Sequence, residues 1–303
     1  MRASRHPCLV LLLAVLLPSL AAAQSVMQIT TVPLRPGIWV LSGFANGNIL
    51  VHDDGTDVLI VDAQSERRVG LADSALRALT ARPVHTVVTT HYHDDHIGGN
   101  PHWRAQGARL IAQCNVAVQA KKDTTITEWR EWHRAPAPAD ALPSECLEDS
   151  LTLERAGDQA VLRHVASAHT DGDLVIWLPR ANVLHMGDVL ELGAPPFIDW
   201  WTGGSWEGML AAVDAGLAIA NAETIIVPGH GPPTDRAGMV AYRDMLQTVG
   251  QRVRDAVQRG ESMAAIVAAR PAAGYEESFG SPSRTDQFVQ LLVVGFSRQS
   301  AVR

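Results

Sequence analysis

Six consecutive residues, His91-Tyr92-His93-Asp94-Asp95-His96, hold three histidines and two aspartates. They follow the apolar, β-branched run at residues 84–89 and precede Ile97-Gly98-Gly99. That pattern reads as a buried strand, a loop and a break before a helix, so side chains converge at a strand end. Neutral imidazole nitrogens and carboxylate oxygens are the usual ligands of zinc and related first-row metals. Three further polar residues stand at the ends of apolar runs: His169 after Val165-Ala166-Ser167-Ala168, Asp188 after Leu184-His185-Met186-Gly187, and His230 after Ile226-Val227-Pro228-Gly229. Each alone is an ordinary polar turn residue. Together the four strand ends offer seven candidate ligands, His91, His93, Asp95, His96, His169, Asp188 and His230, and metal-assisted hydrolysis is the chemistry such a set supports. A solvent-facing loop that merely collects histidines is the competing reading, and the alternation after a buried strand weighs against it.

The elements that must position these residues are legible in outline. Strands are expected at residues 37–42, 48–52, 58–62, 84–89 and 109–112, with Asp53-Asp54-Gly55-Thr56 as a turn. Asp62 ends its strand facing the metal loop and is expected to support it rather than ligate. Helical spacing places Val69, Ala72, Leu76 and Leu79 on one face of residues 66–80, stopped by Pro83. Short helices are expected at 100–106 and 115–122. Residues 123–145 break the rhythm, and with Trp129, Trp132 and His133 they read either as a lid or as a surface excursion pinned by its tryptophans. Closely spaced strands follow at 151–153, 160–165, 173–178 and 182–186, then an irregular stretch at 193–205. A helix at 206–220, a last strand at 224–227, and helices at 236–258 and 285–298 complete the chain.

The 303 residues are 47% hydrophobic and 19% charged, an ordinary globular composition with ample core. Arg2 and Arg5 precede the apolar run at residues 8–20, and Ala21-Ala22-Ala23 then offers a small-residue cleavage site before Gln24. That is the layout of a secretory signal peptide at residues 1–23, too short for a stable membrane anchor, so an exported, periplasmic or secreted protein is expected with its catalytic domain at residues 24–303. The formal net charge of −7 becomes two units more negative once the arginines leave. No basic block with interleaved aromatics is present, which argues against a nucleic-acid partner. Cys114 and Cys146 remain in the mature chain; export permits a disulfide between them, and two buried free thiols are the other reading.

With these motifs in this order, the chain resembles the metallo-β-lactamase fold superfamily from its first strands to His230. The resemblance implies an α/β fold, an αββα sandwich of two mixed sheets flanked by helices with metals at one edge. It implies one metal on His91, His93 and His169, a second on Asp95, His96 and His230, and Asp188 bridging the two. Two zinc ions are therefore the expected cofactor, with a single ferrous iron as the alternative. A hydroxide held between two such metals would attack the substrate, and Asp95 would orient it as well as bind metal. No G-x-S-x-G elbow, H-E-x-x-H helix or phosphate-binding glycine loop supports other chemistry. His52, His85, His102, His133, His164 and His185 fit no motif position.

Substrate class is where the resemblance divides. β-Lactamases of the superfamily usually carry Cys or Ser where this chain has Asp188, and an Asp there is similar to glyoxalase-type thioesterases, lactonases and phosphodiesterases. A hydrolase of an ester, amide, lactam or similar bond in a small exported-compartment substrate is the expectation. A β-lactamase proper and an iron-dependent dioxygenase resembling persulfide dioxygenases are the alternatives. Residues 197–206, with Trp129 and Trp132, suggest a partly apolar substrate.

Overall fold

The computed structural model describes residues 28–43, 47–279 and 281–301. The expected signal peptide at residues 1–23 lies outside the described residues. From the N-terminus, β1 (Thr30–Arg35), β2 (Ile38–Ser42), β3 (Ile49–Asp53) and β4 (Val58–Val61) form an antiparallel meander. Helix α1 (Val69–Arg77) then crosses over to β5 (Val84–Val88), which pairs parallel with β4. The short α2 (Asp94–Ile97) and α3 (Asn100–Ala105) lead to β6 (Arg109–Gln113), again parallel. Helix α4 (Cys114–Ala120), the hairpin β7 (Thr124–Ile126) and β8 (Trp132–Arg134), and the edge strand β9 (Glu145–Leu147) complete this half.

The second sheet runs β10 (Ser150–Arg155), β11 (Asp158–His164), β12 (Leu174–Leu178), β13 (Val183–His185) and, after helix α5 (Trp206–Ile219), β14 (Ile225–Val227). Its first four strands are antiparallel and β13 pairs parallel with β14. Helices α6 (Arg236–Gln258), α7 (Met263–Ala268) and α8 (Pro282–Ala301) close the chain.

Side-chain alternation explains why these strands stack in layers. Ile38, Val40, Leu50, Leu59 and Val61 point inward to meet Leu162, Leu174, Ile176 and Val183 of the other sheet. Their neighbours Leu41, Ile49, Val51, Val58 and Ile60 point outward onto Val69, Ala72 and Leu76 of α1 and onto Trp103 of α3. With both faces covered, the strands read as continuous apolar runs rather than alternating ones. The outer face of the second sheet is covered in turn by α5, α6, α7 and α8, through Met209, Val213, Leu246, Ile266 and Leu292. The result is the expected αββα sandwich of two mixed sheets.

Elements that the sequence pattern does not announce include β1, α2, the β7–β8 hairpin, β9 and α7. Strand β1 is half-exposed along its length and lies at the sheet edge, so it lacks the apolar run of its neighbours. Strand β9 is three residues long and pairs only with β6. Helix α7 is six residues long and buries only Ile266, so no periodicity builds up. The Cys114–Cys146 disulfide is formed and staples the start of α4 to β9.

Candidate metal centre

The C-terminal ends of β4, β5, β11, β13 and β14 meet at one edge of the sandwich, and the seven candidate ligands project from the segments just beyond β5, β11, β13 and β14. Asp62, one residue beyond β4, is buried with left-handed backbone (φ 68°). That conformation costs a non-glycine residue of order 1 kcal/mol or more, and the carboxylate offsets it with three bonds. Its Oδ1 accepts from the Thr90 N–H (2.7 Å), while Oδ2 accepts from Thr90 Oγ1 (2.9 Å) and faces His96 Nδ1 at 2.8 Å. Asp62 thus holds the loop after β5 and one histidine ring, and it supplies no atom to the cluster, as expected.

The seven side chains form two groups. His91, His93, His169 and Asp188 are the first, and Asp95, His96 and His230 the second; within each group the ligand atoms lie within 4.8 Å of one another. In the first, His93 Nδ1 lies 3.1 Å from His91 Nε2 and 3.0 Å from His169 Nε2. In the second, His230 Nε2 lies 3.4 Å from His96 Nε2 and 3.2 Å from Asp95 Oδ2. Asp188 faces both: its Oδ2 is 3.6 Å from His91 Nε2 and 3.3 Å from His230 Nε2, and its Oδ1 is 3.3 Å from His96 Nε2. Close backbone approach makes this possible, because a Cβ at Gly229 would strike Asp188 Oδ1.

The outward-facing ring nitrogens fix the tautomers and orientations. His91 Nδ1 meets Thr90 Oγ1 at 3.0 Å, His169 Nδ1 meets the Phe197 carbonyl at 2.7 Å, and His96 Nδ1 meets Asp62. His93 is turned the other way, with Nδ1 inward and Nε2 3.3 Å from Asp199 Oδ2. Such outer partners orient metal-binding rings and raise their basicity.

This donor set fits a cation. Nitrogen separations of 3.0 and 3.1 Å approach the ~3.3 Å edge of a tetrahedron with Zn–N bonds of about 2.0–2.1 Å. Asp188 Oδ1 is buried without a hydrogen-bond partner, the kind of orphan a cation resolves. Electrostatics agree. Burial, then the neighbouring His96, pushes the His91 imidazole well below its usual range, and burial followed by His93 brings His169 to about 4, so both stay neutral. Burial would raise the Asp188 carboxyl, but His96, His230 and His91 outweigh it and hold it well below the ordinary value. Burial would likewise lower His96 and His230, yet Asp188 and the other carboxylates around them raise both well above it. Those protons are the ones a bound metal would displace.

All seven predicted residues are brought together, and the other six histidines among the described residues are left out. His102 pairs with Asp73 and His133 with Asp123, His85 lies 3.8 Å from Asp57, and His164 meets the Asp171 carbonyl. His52 and His185 are buried in β3 and β13. Four residues around the centre carried no role in the sequence reading: Tyr92, Arg134, Glu191 and Asp199. The Asp199 carboxylate, fully buried, accepts from the Tyr92 hydroxyl and lies 3.5 Å from Arg134 Nη1. Burial opposes its charge, but His93 and Tyr92 hold its pKa at about 2. Glu191 Oε1 accepts from the Phe197 N–H (2.9 Å), which fixes the carbonyl that caps His169. Burial and then Asp188 push its pKa up to about 8. No local pattern distinguishes these residues from ordinary polar positions.

A cavity of about 990 Å³ opens beside His93 and Asp95. The two tryptophans at 129 and 132 separate: Trp132 lines this cavity, whereas Trp129 packs against the C-terminal helical core beside Trp201. Phe197 also lines it, while Trp200 and Trp206 are core residues.

Comparison with known proteins agrees with this geometry. The family model described as "Metallo-beta-lactamase superfamily" matches residues 42–230. A "Metallo-beta-lactamase type 2" of Bacteroides fragilis is 26% identical over 216 residues, 69% of this chain and 76% of that protein. A "Hydroxyacylglutathione hydrolase" of Stenotrophomonas maltophilia is 40% identical over 76 residues, 24% of this chain and 28% of that protein. Among solved structures, "Metallo-beta-lactamase from Pontibacter korlensis" superposes with a TM-score of 0.59 at 17% identity, covering 73% of this chain and 99% of the other, a likeness of fold.

Proposed function

Because the chain belongs to the metallo-beta-lactamase superfamily, we propose that it is a dinuclear zinc hydrolase that cleaves an ester, amide, lactam or similar bond of a small substrate in an exported compartment. The family and its curated relatives make it a metal-dependent hydrolase; the zinc pair, the bond and the compartment are our reading. One observation carries it: two ligand groups share a buried carboxylate, Asp188, that faces both.

Two divalent ions there would polarise the scissile bond and lower the pKa of a bound water to about 7. The chain's own residues do the rest. Asp188, 6% exposed, supplies negative charge from beneath. Asp95 has a side chain 28% exposed and lines the cavity, so its carboxylate can orient the attacking hydroxide as well as bind metal. Trp132 and Phe197, whose ring centroids lie 5.8 and 5.9 Å from that of His93, line the same cavity and limit water there. Within this class the Bacteroides fragilis relative supports lactam hydrolysis and the thioesterase relative supports acyl transfer to water.

Metal analysis of protein isolated from its native compartment, with hydrolysis of a chromogenic lactam, an aryl ester and a phosphodiester, tests this. The expected result is two zinc per chain, hydrolysis of at least one substrate, loss on chelation and recovery with zinc. One tightly bound iron with no hydrolysis would overturn it. The compartment is tested separately, since the N-terminus of mature protein should begin near Gln24.

A further inference from the structure

The cavity beside the centre is asymmetric in a way that names part of the substrate. It opens on His93, Asp94 and Asp95, and its lining includes neither His230 nor Asp188, so it extends from one side of the ligand cluster only. Of the charged lining residues, Glu66, Arg67, Asp94 and Asp140 are exposed at the rim, while Asp95 belongs to the ligand cluster and Arg134 to the wall. The buried lining is apolar or aromatic: Val69, Tyr92, Ile97, Ala120 and Ala141. Trp132 and Phe197 meet edge to face, ring centroids 5.5 Å apart at 87°, and together flank His93.

The wall carrying Trp132 is fastened. Arg134, at the end of the β7–β8 hairpin, donates to the Tyr92 hydroxyl, lies over the Tyr92 ring 4.5 Å from its centroid, and lies 3.5 Å from Asp199. With an 11% exposed side chain it is nearly as buried as the carboxylate it faces, so its charge is committed to the wall. On its far side the hairpin is held by Glu128, which accepts from Trp201 Nε1 (2.8 Å) and from Arg298 of α8. The cavity is therefore preformed, and a ligand entering it does not have to order a loop.

Resting on the hydrolase reading above, we infer that this cavity binds an uncharged hydrocarbon arm of the substrate, the acyl side of the cleaved bond, between Trp132, Phe197, Tyr92 and Ile97. The arm leaves the reacting carbon over His93 and runs under the hairpin. Burial of a methylene is worth about fourfold in binding, and at 990 Å³ the cavity is at the upper end of the ~300–1,000 Å³ range of small-molecule sites.

The test uses zinc-loaded protein and 4-nitrophenyl esters of acetic, butyric, hexanoic and octanoic acid. The expected kcat/KM rises by about two- to fourfold per methylene, for an octanoyl-to-acetyl ratio of about a hundred or more, with the gain mainly in KM. Trp132→Ala should reduce that ratio at least tenfold, and Trp132→Phe should restore most of it, a recovery that a misfolded wall would not give. Hydrolysis of all four esters with a flat ratio overturns the pocket and leaves the hydrolase reading standing. If none of the esters is hydrolysed, calorimetric binding of octanoate against acetate decides separately: a preference of tenfold or more that is lost in Trp132→Ala upholds the pocket, and equal affinities overturn it.

Discussion

Asp199 Oδ2 lies 3.3 Å from His93 Nε2, and the Asp199 N–H donates 2.8 Å to the carbonyl of His169. One residue of the loop after β13 therefore touches two of the three histidines in the first ligand group. His93 alone presents Nδ1 to the cluster, and this carboxylate sits behind it. Asp199→Asn keeps the size and one acceptor while removing the charge. We expect zinc affinity at this group to fall about 10–100-fold with the circular dichroism unchanged. Chelator competition reads it directly, and an unaltered affinity would show that His93 needs no such support.

Asp188 is the residue both groups share. In Asp188→Asn one of two metals should bind far more weakly than the other, with hydrolysis down by a factor of ~10–100 or more. Asp188→Cys should be tolerated better, because a thiolate still ligates zinc. Mass spectrometry of metal content beside turnover of a lactam, an ester and a phosphodiester checks this. Two tightly held metals and full activity in Asp188→Asn would remove Asp188 from the ligand set.

The Cys114–Cys146 bond closes a loop of 32 residues that includes the β7–β8 hairpin. Loop-closure entropy of that length corresponds to about 3–4 kcal/mol. Thiol titration of unfolded, unreduced protein should find no free thiol. The double serine variant should lose a few kcal/mol in urea unfolding, and loss of less than about 1 kcal/mol would show that the staple contributes little.

Acid stability should depend on Asp54. Its Oδ1 accepts from the Thr56 and Asp57 N–H groups and its Oδ2 from the Ala156 N–H, with Arg155 3.1 Å away. Burial alone would raise this carboxyl, but those bonds and that charge hold it below the ordinary 3.8. A depressed carboxyl stabilises the fold above its unfolded pKa and ceases to do so as pH falls through the folded value. The melting-temperature gap between wild type and Asp54→Asn should therefore be constant from pH 7 to about 5 and close below about pH 4. A gap that widens on acidification would contradict the sign.

What could be read from sequence alone was whatever is local. Residues 84–99 carry a buried strand, a loop and a helix start in one stretch, so His91, His93, Asp95 and His96 were identifiable by their own neighbours. His169, Asp188 and His230 were found because each follows an apolar run, and both faces of these sheets are covered, so the runs stand out. Edge strands β1 and β9 and the short α7 left no such mark, since elements with little buried surface carry little periodicity. Tertiary structure alone decided how the ends of β4, β5, β11, β13 and β14 converge. It put Asp199 behind His93, 106 residues away in sequence, and Glu191 behind the loop that caps His169. It also separated Trp132 at the cavity from Trp129, which packs against the helical core three residues earlier. Direction in space, set by a hairpin pinned through Arg134 and Glu128, is not encoded in residue type. That is why the metal ligands were legible, while the residues that aim and enclose them emerged only once the chain was folded.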